Sequence, residues 1–572
     1  MSQAVAEDRP RAEKAAKASP KKRRTPIAMR PRKQLLKVHR WVGLVLVVWA
    51  LLQGLTGAVM TFGDQINAWS RPELYDRTGD ADDDIGPDAA FAAAQAAAPE
   101  DGRVGQLRLP AMEDGVYVAS VTFPDTVFED GRPIGPMRLV FVDPGTGDIN
   151  GIRDPNEGFT HWVDRLHGSL LQTKLLGIRG EAIVGWLGIA MVLVLLTGLY
   201  IWYWPGVKRW ANALRVRRGK TKLIFHTDLH RMVGLLSFVF LLVLGLTGIN
   251  LTFHDQVRTV WYAITPGDDV KPKTPPPPAE STPPADEDDA EPIGMAAAID
   301  AARDAVDGSR IQAISPAFGP TGVYSVRLTS GWDPIRGPRG RGGNMTVAVD
   351  QFSGEPVRII SSKSTPWAAQ AYESWSFPTH AGSFGGFATR VLWVLAGLSL
   401  AGLSATGGVM YLQRRKTKTR RKAALTEALK PFPPQVVEKA DRAAELVTVS
   451  AGDVVVREGE TAETFYVILS GSFDVLVSGV RVRTLEAGQT FGEIGILTTG
   501  TRTATVTALT DAELVAVSTD DLRRILDRAK ADGLDLHAAG AAFAADALGG
   551  EPIDLREAAV GTEAADSEEP VT

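Results

Sequence analysis

Cysteine is absent from this chain of 572 residues. Disulfide bonds, iron–sulfur clusters, thiolate-held zinc and covalently attached c-type haem are therefore excluded. No G-x-G-x-x-G segment follows a predicted strand, so the sequence contains no recognisable flavin or nicotinamide site. Any cofactor must be held by histidine, carboxylate or backbone groups, and the chain contains only eight histidines.

Hydrophobic residues make up 44% of the chain and are concentrated in four blocks. Each block is about long enough to cross a bilayer, which needs roughly 20 apolar residues. The blocks lie at 38–63, 182–204, 229–253 and 387–412. The first begins too late and is too long for a secretory signal peptide, so we expect a retained anchor. The sequence predicts a multi-pass α-helical membrane protein with appended soluble domains.

Lysine and arginine are enriched in the segments 1–37, 205–228 and 413–443. The positive-inside rule places all three in the cytoplasm, together with both termini, so the protein is expected in the inner (cytoplasmic) membrane. The long segments 64–181 and 254–386 are then extracytoplasmic. The basic N-terminal segment is interpreted as a topology determinant, so no nucleic-acid partner is expected.

Each extracytoplasmic segment predicts a small α+β domain, with an alanine-rich helix followed by strands. The first contains a helix at 88–98 and strands at 116–121 and 140–143; the second contains a helix at 293–305 and strands at 323–328 and 347–350. The second domain is preceded by a segment rich in proline and acids at 272–292, which predicts an extended linker.

The first and third apolar blocks repeat one another at a constant offset. His39 and Gly54-Leu55-Thr56-Gly57 recur as His230 and Gly245-Leu246-Thr247-Gly248. An ionisable residue at a membrane boundary is costly and therefore suggests a function. Because these two blocks cross in the same direction, the halves should be related by a pseudo-twofold axis along the membrane normal.

That symmetry predicts two histidine pairs. His39 and His230 should meet near the cytoplasmic side, and His167 and His380 near the outer side. Two imidazoles on opposite faces of an iron form a b-type haem suited to electron transfer, so two such haems are expected. The repeated glycines would let a flat macrocycle approach the backbone.

Other interpretations of these residues remain open. His226 and His254 break the symmetry and are alternative ligands or substrate-side groups, whereas no ligand role is expected for His161. A histidine at a helix end can also anchor at the interface or hydrogen-bond a neighbour. The repeated glycines can also serve ordinary helix packing.

The motifs H-R-x-V-G-L, G-L-T-G, Leu166-His167-Gly168 and Thr197-Gly198-Leu199 together resemble the PepSY-associated transmembrane family over roughly 33–415. Members are membrane proteins of iron uptake, and some are haem-containing reductases of ferric siderophores. The resemblance implies an oxidoreductase that carries electrons through two b haems to an extracytoplasmic ferric siderophore. Its electron donor would be a cytoplasmic protein or a quinol.

The segment 444–545 contains short β-branched strands separated by glycines and resembles the cyclic nucleotide-binding β-roll. In that family's phosphate cassette Arg502 would pair with the cyclic phosphate and Glu493 with the ribose hydroxyl, with cAMP favoured. The cassette also includes Gly492, Ile494 and Thr503. It lacks the common proline before the arginine, and a β-roll that no longer binds nucleotide is the alternative. The remaining 546–572 predict a disordered acidic tail.

Two functions from different classes fit this organisation. The first is the haem-containing reductase, regulated by cyclic nucleotide from the cytoplasm. The second is a non-enzymatic membrane sensor, in which the outer domains bind a ligand or inhibit a peptidase while the inner domain binds nucleotide.

Overall fold

The structure is a computed structural model that describes most of the chain. The described residues are 30–78, 83–110, 115–129, 132–203, 214–217, 221–265, 278–284, 291–330, 345–361, 375–492 and 500–531. The basic segment up to residue 29, much of the proline-rich linker and the acidic tail lie outside these residues. The chain divides into two compact units, 27–410 and 411–572 with 1–26.

Thirteen α-helices occur in the described residues. They are α1 (Arg30–Met60), α2 (Gly63–Ser70), α3 (Pro72–Tyr75), α4 (Gly86–Ala96), α5 (Phe159–Ser169), α6 (Gly180–Tyr203), α7 (Lys222–Thr252), α8 (His254–Ile264), α9 (Gly294–Asp304), α10 (Ser376–Ala381), α11 (Gly386–Ala428), α12 (Pro434–Ala443) and α13 (Thr519–Ala531).

Helices α1, α6, α7 and α11 are long and apolar enough to cross a membrane, so the four predicted spans are confirmed. Three of them extend into the adjacent basic segments. Helix α1 begins at Arg30, α7 begins at Lys222 and α11 continues to Ala428. Lysine and arginine are good helix formers, so the helix continues where the hydrophobicity ends.

The four spanning helices alternate in direction around the bundle. Helix α6 packs antiparallel to α7, with Gly188 of α6 beside Ile249 of α7. Helix α11 packs antiparallel to α1, where Gly397 lies against the backbone of Gly54. Helices α1 and α7 therefore run in the same direction and lie diagonally across the bundle. Small residues at these crossings let the backbones approach closely, as is typical between membrane helices.

The predicted pair of α+β segments forms one continuous antiparallel sheet. Its strands are β1 (Arg103–Arg108), β2 (Tyr117–Thr122), β5 (Met137–Val142) and β6 (Ile149–Arg153) from the first segment, and β9 (Ser309–Ser315), β10 (Val323–Ser330), β11 (Met345–Asp350) and β12 (Pro356–Ser361) from the second. The order is β12-β11-β10-β9-β1-β2-β5-β6. The small hairpins β3 (Val127–Glu129) with β4 (Arg132–Ile134) and β7 (Lys174–Leu175) with β8 (Ile178–Arg179) lie outside it.

The sequence predicts two separate domains, whereas the structure joins the two segments through β1 and β9. An unpaired strand edge exposes backbone donors and acceptors, and the two edges satisfy each other. Helices α4 and α9 pack on the sheet over a shared core, and Asp88 of α4 accepts hydrogen bonds from the backbone of Met295 and Ala296 at the start of α9.

Asp143 and Asp350 close equivalent turns at the ends of β5 and β11. Asp143 accepts hydrogen bonds from Thr78 and from turn amides, and Asp350 accepts them from Thr282 and from turn amides. Burial alone would raise the pKa of each carboxyl, but these hydrogen bonds hold both pKa values below the usual range. The sequence Val-x-Val-Asp occurs at 140–143 and again at 347–350, and its aspartate forms the turn in both copies.

The C-terminal unit contains the expected β-roll. Its strands are β13 (Glu445–Val449), β14 (Val454–Val456), β15 (Thr464–Ser470), β16 (Phe473–Val477), β17 (Val480–Leu485), β18 (Thr490–Phe491), β19 (Thr505–Ala508) and β20 (Ala512–Ser518). They form two four-stranded sheets, β13-β20-β15-β18 and β14-β19-β16-β17. Helices α12 and α13 pack on the first sheet through an apolar core that includes Phe465 and Val515.

Candidate functional site

The first candidate site is the His39–His230 pair. His39 is on α1 and His230 on α7, so the two rings meet across the centre of the bundle from diagonal helices. Their ring centroids are 6.4 Å apart and the ring planes are inclined by 86°. The repeat therefore brings two imidazoles together from the third turns of two parallel helices.

The second candidate site is the His167–His380 pair. His167 is on α5 and His380 on α10, the short helices that precede α6 and α11. Their ring centroids are 6.2 Å apart, with an interplanar angle of 60°. Burial lowers the pKa of His167 to about 3, with an added contribution from His380, and burial lowers the pKa of His380 to about 4. Both rings are therefore neutral at neutral pH, and each has a nitrogen lone pair for a metal.

Each of the four histidines contacts a threonine–glycine dipeptide on another helix. The Nδ1 atom of each ring lies within hydrogen-bond distance of the threonine Oγ1: His39 at 3.2 Å from Thr197, His167 at 2.9 Å from Thr56, His230 at 2.9 Å from Thr406 and His380 at 3.0 Å from Thr247. These contacts are reciprocal within each half of the bundle. Helix α1 supplies His39, which contacts α6, and also Thr56, which contacts α5. Helix α7 supplies a histidine and a threonine to α11 and α10 in the same way.

The glycine of each dipeptide makes room for the imidazole. A Cβ atom on Gly57, Gly198 or Gly248 would lie 3.1 to 3.2 Å from Cε1 of the adjacent histidine, which is too close for a relaxed contact. At Gly407 the corresponding distance is 3.8 Å, so that position is less crowded. An alanine at the three tighter positions would push against the ring.

The first glycine of each repeated motif serves helix packing. A Cβ atom on Gly54 would lie 2.4 Å from the carbonyl oxygen of Gly397, and one on Gly245 would lie 2.7 Å from Val192. Among the protein atoms, Gly54 and Gly245 accommodate neighbouring helices, because a close approach within the bundle needs small residues. The expectation that the repeated glycines let a macrocycle approach the backbone stays a prediction.

The other histidines among the described residues lie outside the two pairs. His226 lies one turn before His230 with its ring against Phe225, and its buried Nδ1 has no hydrogen-bond partner among the described residues. His254 is the first residue of α8. His161 lies on α5, two turns before His167.

The ligands available at the two pairs suit a metal that brings further donors of its own. In the part of the chain that the structure describes, no three histidine, cysteine or carboxylate side chains cluster in a way that could hold a metal ion. Two imidazoles alone are too few for an ordinary protein metal site, which usually has four ligands or more. A haem would supply four porphyrin nitrogens, and each histidine pair would hold it through two more.

The third candidate site lies in the C-terminal unit around Arg502. This side chain is buried, and its guanidinium donates hydrogen bonds to the carbonyl oxygens of Gly492, at 3.1 Å, and Thr464, at 2.7 Å. Gly492 has φ of +90°, and a Cβ there would lie 2.4 Å from Nη1 of Arg502, so only glycine fits this position. Thr503 follows as an exposed residue, whereas Glu493 and Ile494 lie outside the described residues.

Comparison with known families accounts for both parts of the chain. Residues 36–414, about two thirds of the chain, match the PepSY-associated TM region. The chain belongs to this family. Residues 446–529 match the cyclic nucleotide-binding domain. The resemblances drawn from the sequence motifs are thereby confirmed, and the PepSY-associated region includes both histidine pairs and their four threonines.

Curated relatives match the nucleotide-binding domain. The chain is 38% identical over 91 residues to a cGMP-dependent protein kinase of Eimeria tenella, covering 16% of this chain and 9% of the kinase. It is 43% identical over 76 residues to the human potassium/sodium hyperpolarization-activated cyclic nucleotide-gated channel 3, covering 13% of this chain and 10% of the channel. The chain thus spans about a tenth of the length of these relatives.

Similar solved structures match the same domain. One is the regulatory domain of Toxoplasma gondii PKA with cAMP, with 22% identity, a TM-score of 0.19, and coverage of 22% of this chain and 57% of that one. Another is a cyclic nucleotide-binding-like protein from Brucella abortus, with 28% identity, a TM-score of 0.16, and coverage of 17% and 86%.

The contacts of the four threonines with the paired histidines were not predicted from the sequence. A signal was present, because a threonine–glycine dipeptide occurs once in each spanning helix: Thr56-Gly57, Thr197-Gly198, Thr247-Gly248 and Thr406-Gly407. On α1 and α7 the threonine lies 17 residues after the paired histidine of the same helix, and on α6 and α11 it lies 30 and 26 residues after the paired histidine of the preceding short helix. Only the antiparallel packing shows that each dipeptide faces a histidine of the adjoining element.

Proposed function

We propose that the protein binds two b-type haems, one between His39 and His230 and one between His167 and His380, and uses them to carry electrons across the membrane. The ring separations support this assignment. An imidazole nitrogen binds a first-row metal at about 2.0 Å, and the ring centre lies about 1.1 Å behind it, so two axial imidazoles have centres roughly 6.2 Å apart. The separations in the two pairs are 6.4 and 6.2 Å.

The ring orientations are compatible with the same assignment. An imidazole would bind a metal in its own ring plane and that plane could rotate about the bond, so the interplanar angles of 86° and 60° would both be allowed. The four histidines would supply the axial nitrogens, and the surrounding helices would exclude water. When bound, a haem of this kind exchanges single electrons.

The two pairs lie at opposite ends of the spanning helices. On α1, His39 and the threonine that contacts His167 are 17 residues apart, which corresponds to about 26 Å along the helix. This is close to the roughly 30 Å thickness of the bilayer core. Cofactors at both ends would divide the distance into shorter steps, with the His39–His230 pair on the cytoplasmic side.

The electron acceptor in this proposal is a ferric siderophore or another ferric chelate on the extracytoplasmic side. The family resemblance supports this acceptor. The basic segments at 1–37, 205–228 and 413–443 support the orientation, because by the positive-inside rule they would be cytoplasmic and the His167–His380 pair would be extracytoplasmic. A cytoplasmic protein or a quinol would supply the electrons. The nucleotide-binding domain would lie in the cytoplasm, bind a cyclic nucleotide, with cAMP favoured, and regulate the rate.

Haem content tests the assignment of ligands. A pyridine haemochrome assay on the purified full-length protein should give about two b haems per chain, and His39→Ala or His167→Ala should each reduce this to about one. His161→Ala is the matched control, because His161 lies on the same helix as His167 and should leave both haems in place. A haem loss in His226→Ala with none in His230→Ala would reassign the ligand. A wild-type protein without haem would refute the proposal and favour the non-enzymatic sensor.

Electron transfer is tested in proteoliposomes with reductant trapped inside. An external ferric siderophore that cannot cross the membrane should reoxidise the haems, and cyclic nucleotide sealed inside should change the rate. Reoxidation only by internal chelate would contradict the orientation. A rate that does not respond to cAMP or cGMP would remove the regulatory role and leave the reductase assignment intact.

A further inference from the structure

We infer that Thr56, Thr197, Thr247 and Thr406 are positioning residues that fix each histidine with its proton on Nδ1 and its lone pair on Nε2. The inference rests on the proposed haem function, because it assigns to each threonine the task of preparing an axial ligand. It concerns residues outside the predicted ligand set.

The direction of each hydrogen bond follows from what the threonine hydroxyl already does. A hydroxyl carries one hydrogen and can accept through two lone pairs. In all four threonines this hydrogen is donated to a backbone carbonyl of the same helix: Thr56 to Leu52 at 2.7 Å, Thr197 to Val194 at 2.9 Å, Thr247 to Val243 at 2.7 Å and Thr406 to Gly402 at 2.8 Å. A carbonyl cannot donate, so the hydroxyl oxygen can only accept from the histidine. Nδ1 must therefore carry the proton.

Two further contacts lead to the same tautomer. Nδ1 of His39 also lies 3.1 Å from the carbonyl oxygen of Val194, which again can only accept. On the other side of the His167 ring, the side-chain amide nitrogen of Gln53 lies 3.0 Å from Nε2. An amide nitrogen donates, so Nε2 of His167 must accept and hold the lone pair. The two nitrogens of His167 are thus assigned independently.

This arrangement has a consequence for the metal. The Nδ1–H hydrogen bond holds the ring at one rotation and makes Nε2 a stronger electron donor, as second-shell partners of metal-bound histidines do. A stronger donor stabilises the oxidised metal relative to the reduced metal. Because each threonine is anchored to its own helix, the ring orientation is set before any cofactor binds.

The test replaces Thr56, which contacts the His167–His380 pair, by valine or by serine. Thr406, which contacts the His39–His230 pair, is replaced in the same two ways. Valine has nearly the shape of threonine but no acceptor, and serine keeps the hydroxyl. Thr252→Val is the matched control, because Thr252 makes the same bond to a carbonyl of its own helix, at 3.0 Å to Gly248. Loss of a second-shell partner typically weakens ligation about 10- to 100-fold. If the oxidised state is weakened tenfold relative to the reduced one, the midpoint potential of that haem rises by about 59 mV.

A second measurement needs no cofactor. In full-length protein with ¹⁵N-labelled histidine, produced under haem depletion, nitrogen chemical shifts report which ring nitrogen carries the proton. We expect four histidines with the proton on Nδ1, and Thr56→Val should shift one of them towards the other tautomer. Serine variants and Thr252→Val should resemble the wild type in both measurements.

The outcomes separate this inference from the proposed function. Protein that binds no haem but shows four Nδ1–H histidines would refute the haem assignment and retain the threonine role. Protons on Nε2 in the wild type, or equal potentials in the valine and serine variants, would overturn the inference even if two haems are bound.

Discussion

The contact between Gly54 of α1 and Gly397 of α11 gives a sharp prediction about the stability of the bundle. A Cβ on Gly54 would lie 2.4 Å from the carbonyl oxygen of Gly397 and 2.9 Å from the backbone nitrogen of Ala401. Both obstacles are backbone atoms and cannot rotate away. The helices would have to separate by about 1 Å, and overpacking of this kind typically costs about 1–3 kcal/mol. We therefore expect Gly54→Ala to lower the free energy of unfolding by about 2 kcal/mol.

Gly43→Ala is the matched control on the same helix. A Cβ on Gly43 would meet nothing within 4 Å, so this change should be neutral or stabilising by up to about 1 kcal/mol through helix propensity. Unfolding in mixed micelles of increasing SDS content, followed by far-ultraviolet circular dichroism, measures both variants. Gly397→Ala should resemble Gly54→Ala, and the double variant should cost less than the sum, because both alter one contact. Equal effects at Gly43 and Gly54 would refute the packing argument.

Three further predictions concern other parts of the molecule. Arg502→Ala should lower the affinity of the full-length protein for cAMP by about 30-fold or more, because it leaves a buried phosphate unpaired. An unchanged affinity in calorimetry would contradict this prediction. Hydrogen bonds depress the pKa values of Asp143 and Asp350. The contribution of these carboxylates to the free energy of unfolding should therefore be present above about pH 4 and be lost as the pH falls through the folded-state pKa values. The double variant, with asparagine at both positions, should give a flatter acid-unfolding profile. Gln53→Leu removes the donor to Nε2 of His167 and should strengthen haem binding at that pair by roughly 2- to 10-fold in a haem titration.

Much of the architecture was predictable because it depends on composition and periodicity. The spanning helices follow from four apolar blocks, and the pairing of His39 with His230 follows from a repeat whose two copies must cross the membrane in the same direction. The nucleotide-binding domain was recognisable from its glycine spacing and from Arg502. These features depend on residues close together in sequence or on a symmetry that the sequence itself contains.

Other features depend on which elements meet in space. The joining of β1 to β9 was not predictable, since either edge could have been left unpaired or covered by a loop. The glycines at 54 and 57 look alike in the sequence, yet one faces a helix backbone and the other an imidazole. Local sequence cannot distinguish these roles, because the deciding neighbours are more than a hundred residues away.

The sequence alone determined that the chain has four membrane-length helices, no cysteine ligand, a duplicated histidine motif and a C-terminal nucleotide-binding domain, because each depends on residue type and local order. The tertiary structure decided which ring nitrogen of each histidine faces a threonine hydroxyl. That assignment needs a threonine from another helix, and the threonine can only accept because its own hydrogen is bonded within that helix. Tautomer choice is a property of contacts between helices, and no property of the isolated segments determines it.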